Sequence, residues 1–202
     1  MQSSIKQNSA KHITHIIVMG VSGCGKSTLG QALAARLGWP FLEGDTYHPA
    51  ANVAKMKAGI PLNDDDRAPW LRALAQALHA HPAAVLACSA LKARYRAVLQ
   101  GGETKAALEA KTTLFVHVQG EFAEIAARMR VRAETTGHYM PDALLQSQFD
   151  ALESPSPAEV HCINIDNHLD TAAQLAFFEQ NTASLSMPPP DTSTPYTFAK
   201  GI

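Results

Sequence analysis

Short unbroken apolar runs alternate along this chain with longer stretches in which apolar residues return every three or four positions. The first run, His15-Ile16-Ile17-Val18-Met19, is rich in β-branched residues and stops at Gly20, the pattern of a strand buried on both faces. A glycine-rich turn follows. Leu29, Leu33 and Leu37 then repeat at helical spacing in a helix read from Ser27 to Leu37, and Gly38 supplies a stop. The same reading places strands at Pro40 to Glu43, Ala83 to Cys88, Leu114 to Val118 and Val160 to Ile165. Helical patterns fill 49–58, 68–80, 90–99, 121–133, 141–152 and 170–180. This alternation predicts an α/β fold of three layers, a five-stranded parallel sheet covered by helices on both faces.

The ends behave differently. Residues 1–12 are polar and lack periodicity, and residues 184–202 hold four of the twelve prolines among several Ser and Thr. Both read as loose tails outside one domain spanning 13–183, with no internal repeat and no linker between them. A chain of 202 residues that is 46% hydrophobic is long enough for a proper core.

Charge narrows the function classes. Seventeen basic against 18 acidic side chains give a formal net charge of −1, so no overall positive field draws in polyanions. A globally basic nucleic-acid binder is excluded, and any grip on phosphate has to come from a local device. Cys24, Cys88 and Cys162 contain no CxxC pair and offer neither a disulfide nor a metal framework, which fits a reducing, cytoplasmic setting. The N-terminus has no apolar signal region, and no stretch approaches the roughly 18 apolar residues of a membrane span.

The local device is Gly20-Val21-Ser22-Gly23-Cys24-Gly25-Lys26-Ser27, which matches G-x-x-x-x-G-K-[ST] between a strand and a helix. In such a loop the glycines let successive backbone N–H groups turn toward the phosphates of ATP, and the helix start adds its positive end. Lys26 would reach the β- and γ-phosphates, the Ser27 hydroxyl would ligate Mg²⁺, and Thr28 adds a phosphate contact. Cys24 fills a variable position, where oxidation or alkylation would inactivate the site.

No guanine-reading N-K-x-D or D-x-x-G switch is present, and the third strand ends in Ser89 rather than in the Asp of a conventional metal-binding strand. The acid at the reaction centre is therefore expected to be Asp45, just past the second strand. Parallel strands share one carboxyl edge, so Asp45 would face the glycine loop across the crevice and accept the proton of an attacking hydroxyl. A turn aspartate after Gly44 is the alternative.

From Gly44 onward the strings become distinctive. They are Gly44-Asp45-Thr46-Tyr47-His48-Pro49, Asn52, Lys55-Met56, Gly59, Pro61 to Arg67, Pro69-Trp70-Leu71, Cys88 to Lys92, Tyr95-Arg96, Gly137 to Pro141, Leu144-Leu145, Ser147-Gln148-Phe149 and Leu152-Glu153. Together they resemble the thermoresistant-type gluconokinase family of P-loop kinases, over residues 13 to about 170. The resemblance implies the fold of the shikimate- and adenylate-kinase group, transfer of the ATP γ-phosphoryl group to D-gluconate to give 6-phospho-D-gluconate, and a homodimer. The rival readings are a kinase for another small acid or polyol such as shikimate, and a nucleotide-binding regulatory ATPase.

Gluconate carries one carboxylate and five hydroxyls, and the segment around Asp45 offers His48, Asn52, Lys55, Asp66 and Arg67 to them. Arg67 is the first candidate for the carboxylate because its planar fork suits bidentate recognition. Asp64 and Asp65 read instead as a solvated turn or cap for a helix beginning near Pro69. Ser89, Lys92 and Arg96 follow the third strand, the last two on one helical face, and serve substrate or phosphate unless that face is merely solvated. His138 and Gln148 join the substrate set through the resemblance. Arg128 and Arg132 share a face of the next helix, and related kinases carry such arginines on a lid, here about 128–141, that supplies charge to the transferring phosphoryl group. Ala133-Glu134-Thr135-Thr136 departs from the family pattern by length and by placing an acid where a base is expected. Fold analogy puts the adenine near Asp166 and Asn167.

Overall fold

The continuous apolar runs become five parallel strands in the computed structural model, which describes residues 12–101, 112–136, 141–156 and 161–190. They are β1 (His15–Met19), β2 (Phe41–Glu43), β3 (Ala84–Ala87), β4 (Thr113–Gln119) and β5 (His161–Asp166), ordered β2-β3-β1-β4-β5. β1 lies in the middle, His15 to Val18 paired with Ala84 to Ala87 and His15 to Met19 with Thr113 to His117. All five of its residues are buried, which is why it alternates nothing in sequence.

Seven α-helices surround the sheet within the described residues. They are α1 (Lys26–Leu37), α2 (Ala50–Lys57), α3 (Asp64–His79), α4 (Ala93–Leu99), α5 (Phe122–Thr136), α6 (Asp142–Asp150) and α7 (Thr171–Thr182). Ile16 and Val18 face one core layer with Leu29 and Leu33 of α1, Ile125 of α5, Leu145 of α6 and Phe178 of α7. Ile17 and Met19 face the other, with Trp70, Leu71, Leu74 and Leu78 of α3 and Leu99 of α4. Alternate residues of one central strand thus feed opposite cores, as a three-layer α/β/α fold requires.

Three boundaries differ from the sequence reading. α3 starts at Asp64, because Asn63 accepts from Asp66 N at 2.8 Å while Asp66 Oδ2 accepts from Asn63 N at 3.0 Å, a reciprocal capping box. Pro69 is carried inside this helix instead of opening it. α5 continues through Ala133 to Thr136, so the expected departure in the connection is an extra helical turn. Residues 184–190, expected in a loose tail, pack on the domain. Ser186 O accepts from Ile13 N at 2.8 Å, Pro188 O accepts from the buried Trp39 indole at 3.3 Å, and Pro190 lies over Gly38. The proline run is used inside the chain, where its fixed φ makes ordering it cheap.

His117 on β4 is 3% exposed, and burial, helped by the charge of Arg96, pushes its imidazole down to about 4. A histidine whose folded value lies below its unfolded 6.5 stabilises the fold fully above that pH and loses its contribution as pH falls toward 4. His15, also buried, is lowered in the same direction, again first by burial. Urea unfolding of the wild type should therefore lose stability between these limits, His117 alone accounting for up to about 3 kcal/mol. His117→Gln should flatten that limb, and an unchanged profile would mean the ring is protonated at no cost. Asp64 and Asp66, whose values are lowered, act only below about pH 4, outside this window.

Candidate active site

The glycine loop leaves β1 and enters α1 at the carboxyl edge of the sheet. Gly25 is the N-cap of α1 at φ 109°, a left-handed conformation that an L side chain would strain, with nothing within 4 Å of where a Cβ would stand. Glycine is needed there for the turn rather than for space. Lys26 folds back over its own loop and donates to Val21 O at 2.8 Å. Cys24 is 1% exposed, so the expected sensitivity to alkylation does not follow from this geometry.

Beside the loop, at the end of β2, the Glu43 carboxylate accepts from the Ser27 hydroxyl and sits within the electrostatic reach of Lys26 and Asp45. Burial pushes the Glu43 carboxyl up, the Ser27 bond opposing it. Glu43 was absent from the sequence-derived site. Its signal was available, since it ends the same strand two positions before Asp45.

Asp45 is exposed on a short 3₁₀ turn, Gly44–Tyr47, that follows β2. The turn is pinned from both sides. Gly44 approaches Ala87 O so closely that a Cβ would stand 2.3 Å from it, and Gly44 O accepts from the buried Trp70 indole at 2.8 Å. Trp70 also stacks on His48 with ring centroids 4.2 Å apart and 12° between planes. Burial lowers the His48 imidazole despite the opposing charge of Asp45, which keeps it neutral near pH 7. Trp70 therefore positions the acid-bearing turn, a role that a core-pattern tryptophan does not announce in sequence.

Several expected substrate groups are engaged with one another. Lys55 pairs with Asp66 at 2.6 Å, Asp66 caps α3, and the Asn52 amide donates to Asp66 O at 2.7 Å. Asn52, Lys55 and Asp66 thus bind α2 to the start of α3. Arg67 donates to Leu62 O and lies 5.8 Å from the Tyr95 ring. Lys92 pairs with Asp64 at 3.1 Å, and Arg94 and the Tyr95 hydroxyl bond the same carboxylate. The Tyr95 hydroxyl first, then Lys92 and Arg94, hold the Asp64 carboxyl down at about 2. Asp64 is therefore an ion-pair centre rather than a solvated turn residue.

Arg96 is a correction. It is 0% exposed, and its guanidinium donates to Ala90 O and Leu91 O, both at 3.1 Å, and to Glu153 O at 3.0 Å. The shared helical face with Lys92 fails because Lys92 is the extended N-cap of α4 and only Arg96 is helical. Arg96 instead holds the strained turn at Ala90, whose φ is 44°. Ser89 stays beside the loop, its carbonyl accepting from Gly20 N at 3.3 Å.

Gln148 is a second correction. It touches the phosphate loop, Oε1 accepting from Ser22 N at 2.7 Å and Nε2 donating to Ser22 Oγ at 3.0 Å. Arg128 on α5 reaches the loop after β5, donating to Asn167 O at 3.4 Å, while Arg132 is exposed one turn further on. Asn167 is 6% exposed, and neither atom of its carboxamide has a partner among the described residues. His138 lies outside those residues.

Fold and site together define a P-loop small-molecule kinase, and the family model for shikimate kinase matches residues 22–179. The chain is 47% identical to a gluconokinase of Gluconobacter oxydans over 148 residues, covering 71% of this chain and 78% of that one. It is 42% identical to the thermosensitive gluconokinase of Escherichia coli, with 77% and 80% covered. A crystal structure of a gluconokinase from Sinorhizobium meliloti superposes with a TM-score of 0.67 at 40% identity, covering 84% of this chain and 95% of that one. The chain belongs to the gluconokinase family, and it is an ATP-dependent kinase. Among the described residues no helix is long and apolar enough to cross a membrane.

Proposed function

We propose that the protein transfers the γ-phosphoryl group of ATP to a hydroxyl of D-gluconate, giving 6-phospho-D-gluconate and ADP. The observation that carries this reading is the meeting, at one sheet edge, of a G-x-x-x-x-G-K-S loop with Asp45 on a turn braced by Trp70. The similarity to gluconokinases over most of the chain supports gluconate as the acceptor.

In this reading the loop amides from Gly23 to Thr28 and the Lys26 ammonium hold the phosphates, the N–H groups of Gly20 and Ser22 being engaged by Ser89 O and Gln148 Oε1. The Ser27 hydroxyl, with Glu43 beside it, would hold Mg²⁺, and these hard oxygen donors suit that ion. Mg²⁺ supplies charge neutralisation on the phosphates when bound. Asp45 takes the proton of the attacking hydroxyl, and His48, Arg67 and Ser89 border the acceptor. Lys92 reaches it from its pair with Asp64. Arg128 and Arg132 bring positive charge to the transferring group from the expected lid of about 128–141, of which 137–140 lie outside the described residues. The unpartnered donor and acceptor of Asn167 suit a base edge next to Arg128. The resemblance further supports a cytoplasmic homodimer.

Purified protein with MgATP and a panel of sugar acids, polyols and shikimate tests the reading. ADP release should rise well above water hydrolysis with gluconate and with no other acceptor to the same extent. Release independent of gluconate, or faster with shikimate, would overturn it.

A further inference from the structure

One peptide unit of the phosphate loop is held at both ends. The Val21 carbonyl accepts from the Lys26 ammonium at 2.8 Å, and the N–H of the same unit, on Ser22, donates to Gln148 Oε1 at 2.7 Å. The carboxamide grips Ser22 a second time, Nε2 donating to its hydroxyl at 3.0 Å. Gln148 lies on α6, 126 positions away in sequence, and both residues are half-buried.

A peptide is planar and its C=O and N–H point in opposite directions, so fixing one end fixes the other. Turned over, this unit would aim its carbonyl away from Lys26 and present an N–H to the ammonium. Such a turn runs about the Val21 Cα–C and Ser22 N–Cα bonds, neither of them in a glycine, so the backbone itself resists it, and a fixed direction for the unit is added by Gln148. Its amide also brings an acceptor without a net charge, which a carboxylate at the same place would impose on bound phosphates.

We infer that Gln148 is a positioning residue for phosphoryl transfer: by accepting the Ser22 N–H it fixes the Val21 carbonyl and, through it, the resting place of the Lys26 ammonium. The inference rests on the reading of this loop as the ATP site. It assigns to Gln148 a role on the nucleotide side of the crevice and none in gluconate recognition.

Q148M keeps the length and volume of the side chain and removes the acceptor, while Q148E keeps the acceptor and adds a charge. Q148M should lower kcat by about 10-fold or more, as small misplacements of a reacting group do, with KM for gluconate within about two-fold of wild type. Q148E should recover most of that kcat and show a raised KM for ATP. Unchanged kinetics in Q148M, or equal losses of kcat in both variants, would overturn the inference. If Q148M does not fold, amide hydrogen exchange of the wild type without nucleotide decides: Ser22 N–H should be protected, and exchange at the rate of a free peptide overturns the inference. If the wild type does not phosphorylate gluconate, it is the proposed function that fails. The role of Gln148 is then read from ADP affinity, which Q148M should weaken several-fold and which would overturn the inference if unchanged.

Discussion

Lys26→Ala should lower kcat by about three orders of magnitude, the upper end of what removing one preorganised charge at a transferring group costs. The side chain begins at the first residue of α1, next to a left-handed Gly25, and its ammonium has three donors, so it can reach the phosphates from beside Val21 O without moving the helix. Its interaction grows as charge develops on the γ-phosphoryl group, so the loss should fall on kcat more than on KM for gluconate. Stability should change by no more than about 1 kcal/mol, since the variant forfeits one partly exposed hydrogen bond to a carbonyl. Steady-state kinetics with a melting curve checks both, and near-normal kcat would remove this loop from the phosphate site.

The second large effect is expected at Asp45. Replacing it with Asn keeps the size and removes the proton acceptor, and a positioned general base contributes about 10²- to 10⁴-fold. The variant should lose kcat in that range while KM for ATP stays within about three-fold, because the proposed reading gives this carboxylate to the acceptor hydroxyl and not to the nucleotide. The turn itself should survive. It is held by the Trp70 indole on Gly44 O and by the Thr46 hydroxyl on Glu43 O at 2.8 Å, neither of which involves the Asp45 side chain. A defect confined to ATP binding would reassign Asp45 to the metal or nucleotide and leave Glu43, a half-buried neighbour bonded to Ser27, as the remaining acid.

Much of the nucleotide side was legible without a structure, because its chemistry is local. The eight residues from Gly20 to Ser27 are contiguous and work largely through the backbone. Their geometry follows from glycine, one lysine and one hydroxyl between a strand and a helix. The acceptor side was less legible. Asn52, Lys55, Asp66, Lys92 and Arg96 have the polar chemistry of a sugar-acid site, and charge alone cannot tell a ligand contact from a partner contact. The structure gives Lys55 to Asp66, Lys92 to Asp64 and Arg96 to three carbonyls. One signal was readable: Asn63 and Asp66 stand at capping-box spacing, yet Pro69 suggested a later start for the helix.

By itself the sequence determined the order of strands and helices, the α/β class and the phosphate loop, all properties of short windows in which period and glycine placement decide the conformation. Only the tertiary structure decided that Gln148 belongs to that loop, that Trp70 carries the turn of Asp45, that Arg96 is interior and that the proline run lies against Trp39 and Gly38. The physical reason is common to all four. A polar or aromatic side chain with spare hydrogen-bonding capacity takes whichever donor or carbonyl the packed layers bring to it, and in each case at least one such partner lies between 26 and 149 positions away, where no local pattern records it.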